Sequence, residues 1–238
     1  MKNKLTPQQV RKILNLIRTR LPPKSKILCL SLSGPRIFGW GDKRTPYQIY
    51  GIFRAKNFWH RIYFKNNEFE IYLSEFEYFL KELPFRRSLD CSTYFAKPFY
   101  LDKKFNYQIL LSLLAPVVAT EDLKDIIKRF LYIFYPELLL RCYWYLMMQI
   151  HYLRTGKIEL NIFKLNKNYH FKTISILKKD YLSGKRKSDL KYKEQIKTDL
   201  KKLIQEFQKL ISKREFKKIT FDQEKWAKWK KELEKIYL

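Results

Sequence analysis

Cysteine is scarce in this sequence, and the few cysteines are scattered. The 238 residues include 3 cysteines, Cys29, Cys91 and Cys142, and none has a second cysteine or a histidine at metal-binding spacing. An odd and dispersed set excludes a disulfide framework and a zinc-ribbon site. We therefore expect buried, reduced thiols in a cytoplasmic protein.

Long apolar runs are also missing. The longest candidate, residues 126–153, is interrupted by four charged residues, and no segment reaches the ~18 apolar residues that suggest a bilayer span. The basic N-terminus carries apolar residues at helical spacing, and no hydrophobic stretch or small-residue cleavage site follows it. This pattern predicts a helix rather than a secretion signal, and we expect no membrane span.

The signatures of several common enzyme classes are absent as well. His60, His151 and His170 are far apart in the sequence, and no HExxH, GxSxG or P-loop pattern occurs. His151 lies in an apolar helical segment, which favours a core or interface role over metal binding. These patterns predict no histidine metal site and no serine hydrolase.

Acidic residues are few relative to basic ones. The chain has 50 Lys and Arg against 23 Asp and Glu, which gives a formal net charge of +27. Such a charge is self-repelling unless a polyanion neutralises it, and nucleic acid is the partner we expect. A membrane surface is the competing polyanion.

The patterns that are present predict an α+β protein with two regions. Strand-like segments at 26–33 and 47–53 precede two more strands around Asn66 and Asn67, and we expect one mixed sheet with flanking helices. From about residue 104 the pattern is helical almost throughout. We divide the chain into an α/β region, residues 1–103, and a helical C-terminal region, residues 104–238, which is rich in lysine at its end.

Three helices are predicted in detail. Thr6 is the expected N-cap of the first helix, with Pro7 at its first position. Ser74 and Glu77 have the spacing of a capping box before a second helix. Apolar residues recur at helical spacing on the lysine-rich helix near residue 200 and predict its buried face: Leu200, Leu203, Ile204, Phe207 and Leu210.

Residues 31–54, SLSGPRIFGWGDKRTPYQIYGIFR, combine a strand, a glycine-rich turn and a second strand. This stretch resembles the predicted nucleotidyltransferases of the DNA polymerase beta superfamily, in which a strand is followed by G-S-R-x-x-G and then by S-D-x-D. Here the two motifs read GPRIFG (34–39) and TPYQ (45–48). The segments YGIFR, FEIYLSEFEYFL, KPFYLD, RTGKIELN and YLSGKRK extend the resemblance over most of the chain.

The resemblance implies a nucleotidyltransferase-like fold with a degenerate active site. Family members hold two Mg²⁺ ions with three acids, and the matching positions here are Pro46, Gln48 and Glu70. Pro35 replaces the serine that would meet a phosphate, and proline has no N–H to donate. We therefore expect neither a catalytic residue nor a metal cofactor. The motif assigns phosphate or nucleotide contacts to Gly34, Arg36, Gly39, Lys43 and Arg44.

Other interpretations of the same stretch are open. Asp42 could serve with Glu70 as a displaced metal ligand in an active, Mg²⁺-dependent nucleotidyltransferase. Alternatively, Gly34, Gly39 and Gly41 could simply form a tight loop between strands.

Basic and aromatic residues interleave at 53–65 and 85–88, which suits phosphate contact beside base stacking. The predicted nucleic-acid contacts are Arg54, Lys56, Arg61, Arg86, Arg87, Lys185, Arg186 and Lys187. We predict a catalytically degenerate protein that binds RNA or DNA, as a non-catalytic subunit beside a partner enzyme. A basic structural subunit that binds an acidic protein is the further alternative.

Overall fold

The computed structural model describes residues 5–58, 60–82, 96–111, 134–185 and 190–213, and single positions near the C-terminus. Several residues named above lie outside the described residues: Cys91, Arg86, Arg87, Arg186 and Lys187.

Five strands form one mixed sheet, which confirms the predicted α+β class. They are β1 (Lys26–Ser33), β2 (Tyr47–Arg54), β3 (Arg61–Lys65), β4 (Phe69–Glu75) and β5 (Pro98–Leu101). Their order in the sheet is β3-β4-β2-β1-β5. The β2–β4 pair is parallel, and the β1–β2, β3–β4 and β1–β5 pairs are antiparallel. The parallel pair sets the first residues of β2 beside the first residues of β4.

One face of the sheet is covered by helix α1 (Pro7–Arg18). The hydroxyl of Thr6 accepts a hydrogen bond from the Gln9 amide, and the Gln9 side chain accepts one from the Thr6 amide. This reciprocal pair confirms Thr6 as the N-cap. Ile13 and Ile17 are fully buried in a cluster with apolar residues of β1, β2 and β4.

The other face of the sheet contributes to a hydrophobic cluster that it shares with the later helices. These are α2 (Pro35–Phe38), α3 (Phe76–Glu82), α4 (Pro136–Thr155), α5 (Ile162–Leu165), α6 (Lys172–Leu182) and α7 (Lys193–Lys213). Helix α4 is buried on almost every side, and α6 and α7 pack on it. The predicted core face of α7 is confirmed, because Leu200, Leu203 and Phe207 are buried.

A single hydrophobic cluster joins the two predicted regions. Cys29 and Ile52 of the sheet belong to the same cluster as Trp144 of α4 and Leu203 of α7. Cys29 and Cys142 are buried free thiols, as predicted, and burial raises the pKa of Cys29 to about 12.

The predicted cap of α3 is one residue too early. Strand β4 continues to Glu75, which pairs with Phe53, so Ser74 remains extended within the sheet. The buried Glu75 carboxylate instead accepts the backbone N–H groups of Glu77 and Tyr78, at 2.7 and 3.1 Å. Parallel pairing with β2 therefore overrides the local capping pattern.

Candidate functional site

Strands β2 and β4 bring together two positions at which the resembled nucleotidyltransferase pattern has acids, and strand β3 adds a lysine beside them. Gln48 on β2 lies opposite Glu70 on β4, and Glu70 lies opposite Lys65 on β3. The amide Nε2 of Gln48 donates to Oε2 of Glu70 at 2.8 Å. The Lys65 ammonium forms an ion pair with the other oxygen, Oε1. Gln48, Glu70 and Lys65 thus form a row across the three strands. Both oxygens of its one carboxylate, Glu70, are engaged by donors of the protein itself.

The electrostatics of the row keep Glu70 charged. Burial pushes the pKa of Glu70 upward, but hydrogen bonds from Lys65 and Gln48 outweigh that effect and hold the pKa below its ordinary value. The hydrogen bond between Lys65 and Glu70 also raises the pKa of Lys65. The row is therefore an ionised Glu–Lys pair with a neutral amide beside it.

This donor set does not fit a two-Mg²⁺ site. Pro46 has no side-chain ligand, and the Gln48 amide and the Lys65 ammonium occupy the oxygens of Glu70. Across the residues that the structure describes, no group of three or more His, Cys, Asp or Glu side chains could hold a metal ion. Hard divalent ions need several oxygen ligands, and this row offers one carboxylate already paired with a cation.

The turn after β1 is packed against the Gln48 side chain. Gly34 has φ +77°, a conformation that favours glycine, and a Cβ at this position would lie 2.1 Å from Oε1 of Gln48. The Gly39 and Gly41 amides both donate to the Pro35 carbonyl, at 3.0 and 2.7 Å. These glycines therefore form the tight loop that their spacing allows.

Arg36, a predicted phosphate contact, holds the next loop in place. Its Nε donates to the Thr45 carbonyl at 2.5 Å, and its Nη2 donates to the Lys43 carbonyl at 2.6 Å. The guanidinium carbon also lies 3.8 Å from the centroid of the Tyr47 ring. These contacts give Arg36 a structural role between α2 and β2.

Asp42, the candidate displaced ligand, belongs to that loop. Its Oδ1 accepts the Arg44 amide at 2.9 Å, and its Oδ2 forms an ion pair with the Arg44 guanidinium at 3.0 Å. Burial raises the pKa of Asp42, but these bonds outweigh it and the pKa lies below its ordinary value. Lys43 and Arg44 are exposed at the tip of the loop.

The predicted nucleic-acid contacts fall into two groups. Arg54 is 14% exposed and lies between Glu75 at 3.0 Å and Glu77 at 2.5 Å, so its charge is neutralised within the protein. Lys56 and Arg61 are exposed. Lys185 is exposed as well, although it pairs with Asp180 at 3.0 Å.

The end of helix α6 lies near the row of Gln48, Glu70 and Lys65, through Tyr181. Burial raises the pKa of Tyr181 to about 12, and the charges of Glu137 and Glu70 act in the same direction. The Tyr181 side chain also hydrogen-bonds to Thr45 in the loop before β2. A surface depression of about 520 Å³ lies beside Tyr181 and extends to Lys185.

A row of tyrosines was not anticipated from the sequence. Tyr50, Tyr72 and Tyr63 lie next to each other on β2, β4 and β3, with ring centroids 4.7 and 4.8 Å apart. Each tyrosine is two residues from Gln48, Glu70 or Lys65 and therefore shares their face of the sheet. The sequence shows a tyrosine at an alternate position of each of the three strands. Whether the three rings lie side by side depends on how the strands pair.

Comparisons with known proteins add no family to this description. No protein-family model matches the chain, and no curated protein matches it. Among the described helices, none is long and apolar enough to cross a membrane.

Proposed function

We propose that this protein binds nucleic acid on a nucleotidyltransferase-like core that has lost catalysis, as a cytoplasmic subunit beside a partner enzyme. The contact that carries the proposal joins Gln48, Glu70 and Lys65. At the point where the family would hold metals with three acids, this chain has one carboxylate, and a lysine of the same protein neutralises it.

The charge of this row supports binding without metal. Three unpaired carboxylates would repel a phosphate backbone unless cations intervened, whereas a paired Glu–Lys row with a neutral amide has no such requirement. Exposed basic residues lie in the loop before β2 and on or beside β3: Lys43, Arg44, Lys56 and Arg61. These positive charges favour a phosphate backbone along this side of the sheet.

Two alternatives stand beside this proposal, and the structure gives less support to the first. An active enzyme that uses Asp42 and Glu70 would need both carboxylates for metal, and each is occupied by donors within the protein. A basic subunit that binds an acidic protein agrees equally with the net charge of +27. The presence or absence of nucleic-acid binding separates that alternative from the proposal.

The test measures binding of labelled RNA and DNA oligonucleotides in EDTA over a series of salt concentrations. A footprint of about four phosphates predicts an affinity loss of roughly a hundredfold between about 50 and 200 mM salt. Pro46→Asp together with Gln48→Asp should weaken binding in EDTA, since it adds two negative charges to the row. The matched control, Gln8→Asp with Asn15→Asp, adds the same charge to exposed positions of α1, on the other side of the sheet.

Two results would overturn the proposal. One is an absence of binding at low salt, and the other is Mg²⁺-dependent nucleotide transfer by the wild-type protein that Glu70→Ala abolishes. An equal loss of affinity in both charge variants would show that the net charge, rather than this row, determines the binding.

A further inference from the structure

The tyrosine row runs from the interior of the protein to its surface. Tyr50 packs against the main hydrophobic cluster, Tyr72 is half-buried, and Tyr63 is 55% exposed at the edge of the sheet. The Tyr50 and Tyr72 rings are stacked with an interplanar angle of 14°, and the Tyr72 and Tyr63 rings are tilted by 35°. The row therefore presents an aromatic surface at the edge strand.

Two cations flank the exposed ring. Residues of β3 alternate between exposed and half-buried, so Arg61, Tyr63 and Lys65 share one face. Two residues along a strand span about 7 Å, which places a cation on each side of the Tyr63 ring. Arg61 also lies over the Tyr78 ring and Lys65 pairs with Glu70, yet both side chains remain at the surface.

We propose that the row of Tyr63, Tyr72 and Tyr50 is a stacking site for unpaired bases, so that the ligand is single-stranded nucleic acid. This inference rests on the proposed function and names its substrate class. A base stacks on the Tyr63 ring and extends the tyrosine row outward, while Arg61 contacts a flanking phosphate. Duplexes lack this mode of binding, because the faces of their bases are covered by neighbouring pairs.

The exposure of Tyr63 distinguishes this site from a sheet-stabilising ladder alone. Cross-strand aromatic pairs stabilise a sheet through the rings they cover, and Tyr50 and Tyr72 supply that contact. In the part of the chain that the structure describes, Tyr63 is more exposed than the other exposed large apolar side chains, Leu101 at 43% and Tyr135 at 42%. An exposed ring beside the Arg61 cation is complementary to a base beside its phosphate.

The test compares single-stranded and duplex oligonucleotides of equal length, as RNA and as DNA, by fluorescence anisotropy at low salt. Tyr63→Thr removes the ring and keeps the β-branched preference for a strand. It should weaken single-strand binding by roughly five- to a hundredfold and leave duplex binding unchanged. Tyr63→Phe keeps the ring and should bind as the wild type does. Lys56→Ala removes a cation outside the tyrosine row and should lower the affinity for single-stranded and duplex ligands equally.

A second readout is the fluorescence of an oligonucleotide that contains 2-aminopurine, which decreases when the base stacks. The decrease on binding should be lost in Tyr63→Thr and retained in Tyr63→Phe, with circular dichroism showing an unchanged fold in both. If the wild type binds nucleic acid but Tyr63→Thr leaves single-strand affinity and quenching intact, or lowers duplex affinity equally, the stacking site is refuted and the proposed function stands. If the wild type binds neither ligand, both are refuted.

Discussion

At the scale of single residues, polar side chains in and beside the glycine-rich loop stabilise the loop itself. Gln48 fills the space above Gly34, Arg36 holds two carbonyls of the loop, and Asp42 closes the turn with Arg44. The resemblance suggested an acid position at Gln48 and a phosphate contact at Arg36, and Asp42 was the candidate displaced ligand. Here their polar atoms are satisfied within the protein, which stabilises the loop without a ligand.

Gly34→Ala should therefore lower the free energy of unfolding more than a replacement at a glycine where the new Cβ causes only backbone strain. Gly184 is the matched control, because its φ of +74° is close to the +77° of Gly34 and a Cβ would meet nothing within 4 Å. Backbone strain predicts a loss of about 1–2 kcal/mol for Gly184→Ala. The collision with Gln48 should add about 1–3 kcal/mol for Gly34→Ala, measured by urea unfolding.

A double variant separates the two contributions to that loss. In Gln48→Ala with Gly34→Ala the collision is removed, so the cost relative to Gln48→Ala alone should decrease to that of Gly184→Ala. Equal losses for Gly34→Ala and Gly184→Ala would show that the Gln48 side chain moves away freely, contrary to the packing described above.

At the scale of secondary-structure elements, a buried carboxylate joins three helices. Asp199 of α7 accepts hydrogen bonds from Tyr143 of α4 at 2.9 Å and from Thr173 of α6 at 2.6 Å. Gln195 donates to its other oxygen at 2.8 Å. Asp199 is 5% exposed, so these bonds replace its hydration. The position of α7 against the other two helices depends on this network as well as on the apolar face.

Asp199→Ala should lower the free energy of unfolding by about 1–3 kcal/mol. The Tyr143 and Thr173 hydroxyls lie 2.9 Å apart and can still bond to each other, but one of the two buried donors loses its acceptor and costs its full desolvation. The control is Glu194→Ala on the same helix, where an exposed carboxylate pairs with Lys197 and the expected change is within about 0.5 kcal/mol. Urea midpoints at a constant m-value provide the measurement, and similar losses in both variants would contradict the network's role.

At the scale of the whole molecule, the net charge of +27 opposes compactness. Helix α7 buries its apolar face and leaves Lys201, Lys202 and Lys209 exposed on the other side. The carboxylates near the sheet are already paired, as Arg54 with Glu75 and Lys65 with Glu70 show. The positive excess is therefore available to an external polyanion.

Salt should have opposite effects on stability and on nucleic-acid binding. Raising NaCl from about 20 to 300 mM shortens the screening length and should raise the melting temperature of the free protein by a few degrees, since relief of about 1 kcal/mol corresponds to about 2–4 °C at this size. Sodium sulfate at equal ionic strength is the control for ion-specific effects. A melting temperature that falls in NaCl would show that attractive ion pairs, rather than repulsion, dominate.

The sequence by itself determined the features that depend on nearby residues. The cap at Thr6, the bounds of β1 and the buried face of α7 all follow from residue type and spacing. Such patterns are local, so they can be recognised without knowledge of the fold.

Only the tertiary structure decided which side chains meet. Gln48 and Glu70 are 22 residues apart, and their bond requires β2 and β4 to pair in parallel with one register. The same pairing aligns the tyrosine row and moves the cap of α3 from Ser74 to Glu75. A shift of one residue would turn every one of these side chains to the opposite face of the sheet. Alternation along single strands could therefore not predict the site, because the register is determined by the packing of both faces of the sheet.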